Sequence, residues 1–190
     1  MRVIAGTARS LPLKCIEGAS TRPTTDRIKE TLFNILGPDI PGCRFLDLFG
    51  GSGAIGIEAL SRGAAYAAFA ENNRAAYECI LQNLEFTRLG NYAGVFFMDA
   101  LGALKVMEHG EPFDFIFLDP PYGKGLERAV TAYLADSTLA DGYTTVIVEA
   151  ALREDFSWAE ALGFEVTREK KYKTNKHVFM KLKDGRGGEE

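Results

Sequence analysis

The 190-residue sequence has few cysteines and no long apolar run. Its cysteines, Cys15, Cys43 and Cys79, are odd in number and widely spaced, which fits neither a disulfide framework nor a zinc site. Neither His109 nor His177 lies in a metal-ligand pattern. No apolar stretch approaches the roughly 20 residues needed to cross a bilayer, and the first residues are too interrupted for a signal peptide. We expect a soluble, cytoplasmic protein with no membrane partner and no metal.

The chain also lacks an excess of positive charge, since its formal net charge is −4. The distribution matters more than the sum. Residues 168–183 hold seven Lys or Arg and one acid, and residues 1–30 hold six and three, so both ends are basic and the middle is acidic. A nucleic-acid partner is therefore a hypothesis that the net charge does not exclude, with a solvated charged face as the alternative.

The central stretch, residues 44–63, reads RFLDLFGGSGAIGIEALSRG. Its apolar beginning is typical of a strand buried in a parallel sheet, and its second half has helical spacing. Between them, Gly50, Gly51 and Gly53 allow a sharp backbone turn and the close approach of a ligand. The pattern predicts a cofactor-binding loop.

Two cofactors compete for this loop. Residues 51–56 match the dinucleotide fingerprint and Glu71 lies 20 residues beyond Gly51, so an NAD-dependent oxidoreductase is one hypothesis. Asp47 favours another, because a carboxylate inside the strand would repel a pyrophosphate. S-adenosylmethionine carries a sulfonium and an ammonium and no phosphate, so it suits an acidic strand better.

Acidic residues follow three consecutive predicted strands, at Asp47, Glu71 and Asp99. Ligands of doubly wound sheets bind over the carboxyl ends of the strands, so these acids are expected along one edge. Glu71 is predicted to accept hydrogen bonds from ribose hydroxyls, and Asp99 from a purine amino group. Each acid taken alone is more commonly a helix cap, and the inference depends on all three together.

A fourth predicted strand, residues 113–118, runs into Asp119-Pro120-Pro121-Tyr122. Two prolines hold the chain extended and leave nearby carbonyls free to accept hydrogen bonds. Such a loop can grip a planar base with an exocyclic amine: Asp119 and a backbone carbonyl accept its two N–H groups, and Tyr122 stacks on the ring. For the tetrapeptide alone, a rigid exposed turn is an equal alternative.

Strands alternating with helices predict an α/β three-layer fold. We expect an N-terminal appendage of a small β-hairpin and a helix over residues 1–41, a main domain over residues 42–183 and a disordered tail over residues 184–190. Two alternating segments near the chain end predict an antiparallel pair at the sheet edge.

Candidate phosphate contacts lie at both basic ends. The appendage helix begins at a turn that combines basic side chains with threonine hydroxyls, which is a hypothesis for RNA binding beside the simpler reading of a capped helix start. The C-terminal run supplies further lysines. The candidates are Arg22, Thr24, Arg27, Lys29, Lys170, Lys171 and Lys173.

The motifs together resemble the class I S-adenosylmethionine-dependent methyltransferases, and more narrowly the RsmD family, which methylates N2 of a guanine in 16S ribosomal RNA. The resemblance is carried by RPTTDRIKETLFN (22–34), FLDLFGGSGAIGIEALSRGA (45–64), FLDPPY (117–122), Glu71 and Asp99. It implies a Rossmann-like three-layer sandwich with a mostly parallel seven-stranded sheet and one antiparallel strand.

The resemblance also implies the chemistry. The cofactor would be S-adenosylmethionine, and the partner 16S ribosomal RNA or the assembling small ribosomal subunit. The implied catalytic residues are Asp119, Pro120, Pro121 and Tyr122. The implied cofactor contacts are Asp47, Phe49, Gly50, Gly51, Gly53, Glu71, Asn72, Asp99 and Ala100.

Three alternatives stay open at this point. The glycine loop and the DPPY motif also occur in amino-methyltransferases of DNA adenine and of protein glutamine, although a DNA enzyme usually carries a recognition domain for which this chain has no room. The second alternative is the NAD-dependent oxidoreductase. The third is a non-catalytic RNA-binding module, against which the intact Asp119, Tyr122 and Glu71 argue.

Overall fold

The computed structural model describes residues 1–16 and 25–183. Its helices are α1 (Asp26–Leu36), α2 (Ala54–Ser61), α3 (Arg74–Thr87), α4 (Ala100–Met107), α5 (Leu126–Leu134) and α6 (Trp158–Ala161). Its strands are β1 (Arg44–Asp47), β2 (Tyr66–Glu71), β3 (Ala93–Phe97), β4 (Phe115–Leu118), β5 (Thr145–Ala151), β6 (Phe164–Lys171) and β7 (Asn175–Leu182). The predicted tail, residues 184–190, lies outside the described residues.

The strands form a seven-stranded sheet in the order β3-β2-β1-β4-β5-β7-β6. β2 is parallel to β1 and to β3, and β5 is parallel to β4. β7 is antiparallel to both of its neighbours, β5 and β6. The structure therefore confirms the predicted α/β fold with a mostly parallel sheet and an antiparallel strand near its edge.

Of the two compact units of the chain, the first comprises Met1–Ala103 and is built around α2. All eight residues of α2 are buried, because the sheet covers one side of the helix and the N-terminal segment covers another. Both contacts are close at a glycine. A Cβ on Gly56 would lie 2.3 Å from the ring of Phe69, and a Cβ on Gly6 would lie 1.7 Å from the carbonyl oxygen of Ser61. Only glycine permits either approach.

A buried charge cluster joins the N-terminal segment, α1 and α2. The side chains of Lys29 and Glu58 are fully buried, and their charged atoms lie 3.1 Å apart. The Glu58 carboxylate also accepts the backbone N–H groups of Ile4 and Ala5, at 2.8 and 3.0 Å, and the Nε of Arg62, at 2.8 Å. With these donors the carboxylate is held by charge-assisted hydrogen bonds from three segments of the chain.

The burial of Lys29 corrects one prediction. Lys29 is not a contact for RNA phosphate, because its side chain has no exposed surface and its ammonium is paired with Glu58. Burial lowers the pKa of Lys29, and the charge of Glu58 opposes that shift. Arg27, from the same turn, is exposed. Arg22 and Thr24 lie outside the described residues, so their proposed role stays a prediction.

The N-terminal pieces pair over a short antiparallel stretch at the place of the predicted small hairpin. An antiparallel bridge joins Arg2 and Pro12, and the backbone N–H of Val3 donates to Leu11 at 3.0 Å. The pairing stops there because the next backbone N–H groups, from Ile4 and Ala5, donate to Glu58 instead. The side chain of Thr25 caps α1 by accepting the N–H of Ile28, at 3.3 Å, as the polar turn predicts.

The second unit begins at Leu104 and ends in the predicted antiparallel pair, β6 and β7. β4 is buried throughout, whereas most of β6 is exposed and carries charged side chains. Charges on an edge strand deter pairing with another chain. Across residues 1–16 and 25–183, no helix combines the length and the hydropathy needed to span a membrane.

Replacing Lys29 with Met should destabilise the fold by about 3–5 kcal/mol, because it leaves the Glu58 carboxylate buried without its ammonium partner. The matched control is Arg27→Met, which changes an exposed residue of the same helix and should stay within about 0.5 kcal/mol. Urea unfolding followed by circular dichroism measures both. Equal midpoints for the two variants would show that the buried pair contributes nothing.

Candidate functional site

The loop between β1 and α2 has the conformation that its glycines predict. Gly51 and Gly53 adopt positive φ angles of 54° and 77°. The N–H of Gly53 donates to the carbonyl of Gly50 at 2.6 Å, which closes the turn. A Cβ on Gly50 would lie 2.8 Å from the side chain of Ile80. The loop therefore packs tightly on α3, while a Cβ on Gly51 would meet only open space and a carbonyl 4.0 Å away.

Glu71, at the end of β2, holds this loop in place. Its Oε2 accepts the backbone N–H of Gly51 at 2.9 Å, and its Oε1 accepts that of Asn73 at 2.7 Å. A carboxylate oxygen has two lone pairs, so each oxygen can accept one further hydrogen bond. Glu71 thus fixes the glycine loop and can still bind a ligand hydroxyl. Its contact with ribose stays a prediction.

Asp47 ends β1 as a buried carboxyl beneath the start of α2. Its Oδ2 accepts the backbone N–H of Gly56 at 3.2 Å. Burial raises the pKa of Asp47 to about 7, a shift that the Gly56 hydrogen bond opposes and the charge of Glu71 increases. A cationic ligand would favour ionised Asp47, whereas an anionic one would raise its pKa further. The electrostatics of this site favour a cation.

Asp99 lies two residues beyond the end of β3. Its Oδ1 accepts the N–H of Gly102 at 2.8 Å, so it caps α4, which is the simpler role of an acid after a strand. Its Oδ2 can still accept a hydrogen bond. Ala100 is buried beside it, Phe49 is half-buried and Asn72 is exposed. The cofactor roles of these residues stay predictions.

Asn83, on α3, is a residue of this site that the sequence analysis missed. Its Nδ2 donates to the carbonyl of Ser52 in the glycine loop, at 2.8 Å, and to the carbonyl of Lys14, at 3.1 Å. Its Oδ1 accepts the N–H of Lys14 at 2.9 Å. One buried amide therefore ties the glycine loop to the N-terminal segment. The signal that could have found Asn83 is a polar residue at one of the helix positions of α3 whose side chains are buried.

The Asp119-Pro120-Pro121-Tyr122 loop follows β4 directly. Asp119 is half-buried and Pro120 buried, whereas Pro121 is exposed and 52% of Tyr122 is accessible. Partial burial, followed by the nearby charges of Glu149 and Asp119, raises the pKa of Tyr122 to about 12. The ring is therefore a neutral, accessible stacking surface at any physiological pH, with two carboxyl groups in its surroundings.

A polar cluster in this unit consists of the buried residues Glu149, Asn175 and His177 and the half-buried Tyr172. Glu149 accepts the Nδ2 of Asn175 at 2.6 Å, and its other oxygen lies 3.1 Å from the Nε2 of His177. The Nδ1 of His177 lies 3.1 Å from the hydroxyl of Tyr172. We call these four residues the Glu149 cluster. The only sequence signal for this cluster was Glu149 itself, an acidic residue near the end of a strand. Within the described ranges, no three His, Cys, Asp or Glu residues are grouped as metal ligands.

The C-terminal lysines predicted to contact phosphate lie along β6 and the turn that follows it. Lys171 and Lys173 are exposed, and Lys170 is half-buried. Lys176, by contrast, is buried and paired with Glu169 at 2.8 Å. The exposed members of the run therefore present positive charge to solvent, and their contact with RNA stays a prediction.

Several known proteins resemble this chain along most of its length. The family model described as "Conserved hypothetical protein 95" matches residues 1–181. Ribosomal RNA small subunit methyltransferase D of Escherichia coli strain K12 is 36% identical over 170 residues, which cover 90% of this chain and 84% of that protein. The structure of a hypothetical protein from Thermus thermophilus is 29% identical, with a TM-score of 0.81, over 96% of this chain and 99% of that one.

A more distant structure shares the fold. An RNA methyltransferase from Salinibacter ruber, solved in complex with S-adenosyl-L-homocysteine, is 15% identical and has a TM-score of 0.67 over 86% of this chain and 95% of that one.

The raised pKa of Asp47 predicts a specific pH dependence of stability. The folded state keeps the proton up to about pH 7, whereas the unfolded chain loses it near pH 4. The free energy of unfolding should therefore decrease as pH rises from about 4 to about 7, by on the order of 4 kcal/mol from this group. Asp47→Asn, which imitates the protonated carboxyl, should remove that decrease.

Urea unfolding at pH 4.5, 5.5, 6.5 and 7.5 gives the measurement. The difference between the two proteins should change across this range in favour of Asp47→Asn at the higher pH. Asp136→Asn, outside the glycine loop, is the control. Parallel pH profiles of the original protein and Asp47→Asn would contradict a buried carboxyl with a raised pKa.

Proposed function

Since the chain belongs to the conserved hypothetical protein 95 family, the RsmD family that its motifs resemble, we propose that it methylates the exocyclic N2 amine of a guanine in small-subunit ribosomal RNA. The observation that carries the proposal is the loop after β4, where Asp119 and the accessible ring of Tyr122 follow a buried strand directly. An acceptor beside a stacking surface suits a planar base that carries an amine.

The residues around the glycine loop fit S-adenosylmethionine, the cofactor of this reaction. It supplies a methyl group bound to a sulfonium sulfur, which moves to a nitrogen nucleophile while that nitrogen releases a proton and a neutral thioether is left. Asp47 favours the cationic end through its charge. Glu71 accepts the ribose hydroxyls with its remaining lone pairs, and Asp99 accepts the purine amino group. Phe49, Gly50, Gly51, Gly53, Asn72 and Ala100 complete the proposed contacts.

Asp119 activates the guanine amine, which is a weak nucleophile. The lone pair of a guanine amine is delocalised into the ring, so the neutral amine reacts poorly. When Asp119 and a carbonyl of the Pro120-Pro121 segment accept its hydrogens, the nitrogen is drawn toward tetrahedral geometry and its lone pair becomes available. Asp119 also receives the proton that the nitrogen releases. Tyr122 stacks on the base, which must be unpaired or turned out of its helix to present this edge.

The competing functions fit less well. An NAD-dependent oxidoreductase would place a pyrophosphate beside the carboxyl groups of Asp47 and Glu71, and the named relatives are methyltransferases. Amino-methyltransferases of DNA adenine or protein glutamine share the loop after β4, but the curated relative that covers 90% of this chain is named for ribosomal RNA. A non-catalytic module would have no use for the acceptor at Asp119.

Asp119→Ala should retain cofactor binding and lose methyl transfer. An acceptor that orients the amine acts chiefly in the transition state, so kcat should fall by on the order of 10²-fold or more with little change in KM. Methyl-tritiated cofactor and ribosomal RNA that lacks the modification provide the assay, and mass spectrometry of the labelled nucleoside should identify N2-methylguanosine. Calorimetry with S-adenosylhomocysteine measures cofactor binding in parallel.

Tyr122 supplies the matched controls. Tyr122→Phe should be mild because stacking needs the ring and not the hydroxyl, whereas Tyr122→Ala should weaken RNA binding by roughly 1–3 kcal/mol as well as slow turnover. A near-normal rate in Asp119→Ala would remove the amine-orienting role. Label on any position other than guanine N2 would overturn the proposed function.

The lysines at the end of β6 and in the turn after it are proposed to contact RNA phosphate. Changing Lys170, Lys171 and Lys173 together to Ala should reduce the slope of log affinity against log salt by about 0.7 to 0.9 for each phosphate that is no longer neutralised. Filter binding across a salt series measures the slope, and Lys105→Ala, on α4, is the single-site control. A slope that does not change would identify the run as a solvated face.

A further inference from the structure

The Glu149 cluster lies level with the proposed catalytic loop. In the pairing of β4 with β5, Leu118 is opposite Val148, so the next residue of each strand, Asp119 and Glu149, follow side by side. Adjacent strands lie about 4.8 Å apart. On the other side of β5, Glu149 is opposite His177, whose ring contacts Phe117 edge-on at 5.8 Å. Asp119 directly follows β4 and Glu149 lies two residues before the end of β5, so the two carboxyl groups come from adjacent strands at one level.

The cluster holds the Glu149 carboxylate firmly while leaving it able to accept more hydrogen bonds. Asn175 and His177 each engage one oxygen, and Tyr172 engages the far nitrogen of the His177 ring. Each carboxylate oxygen keeps a lone pair. The Oδ1 of Asn175, a residue that is only 5% exposed, has no hydrogen-bond partner among the described residues. Buried acceptors of this kind are normally satisfied, so the cluster is suited to a ligand that donates N–H groups.

The chemistry of the bases identifies which ligand supplies those donors. In adenine and cytosine, the ring nitrogen beside the exocyclic amine is an acceptor. In guanine, the amine at C2 lies beside N1–H, a donor. Asp119 is the proposed acceptor of the amine. A second carboxylate beside it would therefore attract the N1–H of guanine and repel the ring nitrogen acceptors of the other two bases.

Resting on the proposed function, we propose that Glu149 is the residue that selects guanine, by accepting its N1–H while Asp119 accepts an N2–H. His177 and Asn175 are positioning residues that keep the Glu149 carboxylate oriented, and Tyr172 fixes the His177 ring. The two carboxyl groups thus accept hydrogen bonds from two adjacent N–H groups on one edge of the base. Sites that hydrogen-bond a substrate group in this way reject analogues that lack it.

The test replaces the target guanosine of the RNA with 2-aminopurine, which keeps the amine at C2 but has an unprotonated N1. The wild-type protein should methylate guanine at least about 10-fold faster than 2-aminopurine. Glu149→Gln offers an amide N–H to the unprotonated N1, so its guanine-to-2-aminopurine rate ratio should fall by about 10-fold or more. Because each ratio is measured within one preparation, it does not depend on the fraction of protein that is active.

Glu165→Gln, the same substitution on the exposed strand β6, is the control and should keep the wild-type ratio. Asn175→Ala should lower the ratio in the same direction as Glu149→Gln, and calorimetry with S-adenosylhomocysteine verifies that both variants keep the cofactor site. A wild-type ratio in Glu149→Gln and Asn175→Ala would overturn the role of Glu149 while the guanine-N2 activity stands. Wild-type protein that transfers no methyl group to guanine N2 would overturn the proposed function itself, and the inference with it.

Discussion

A single buried carboxylate, that of Glu58, determines how the first unit is arranged. A charge without exposed surface is tolerated only when it is paired and hydrogen-bonded, and Glu58 meets this condition with donors from Lys29, Arg62 and the N-terminal backbone. The N-terminal segment therefore covers α2 instead of forming a longer hairpin. Because α2 begins immediately after the glycine loop, and the N–H of Ile57 donates to the carbonyl of Gly53 at 2.9 Å, the glycine loop is supported by a helix that the Glu58 carboxylate holds in place.

The fold was largely predictable because its signals are local. Continuous apolar runs identify β1 and β4, glycines identify the turn into α2, and alternation identifies β6 and β7, all of which the structure confirms. The charge cluster was not predictable in this way. An acid or a lysine on a helix normally faces solvent, and nothing near Glu58 or Lys29 in the sequence shows that the other lies 29 residues away as its partner. The prediction of Lys29 as a phosphate contact was wrong for that reason.

The residues of the candidate site differ in the same way, because some have a local sequence signal and others depend on long-range contacts. Acids at the ends of strands were found from the sequence because parallel strands place their carboxyl ends at one edge, which is how Asp47, Glu71 and Asp99 were selected. Glu149 also lies near the carboxyl end of a strand, yet its partners Asn175 and His177 come from β7, 26 and 28 residues later. Asn83 similarly depends on a contact with Lys14, 69 residues earlier. Long-range pairing of polar side chains has no periodic signature.

The distribution of charge in the second unit bears on how an acidic protein can bind RNA. Asp119 and Glu149 would repel phosphate, so the backbone of an RNA would be excluded from the place where the base is proposed to donate N–H groups. In the proposed function, the exposed Lys171, at the end of β6, and Lys173, in the turn after it, would attract phosphate at a different place. Opposite charges on one unit would thus separate the two ends of a bound nucleotide, with the base drawn toward the carboxyl groups and its phosphate toward the edge strand. Such a separation would favour a base turned away from its own backbone, which is the geometry that the proposed methylation of an exocyclic amine requires.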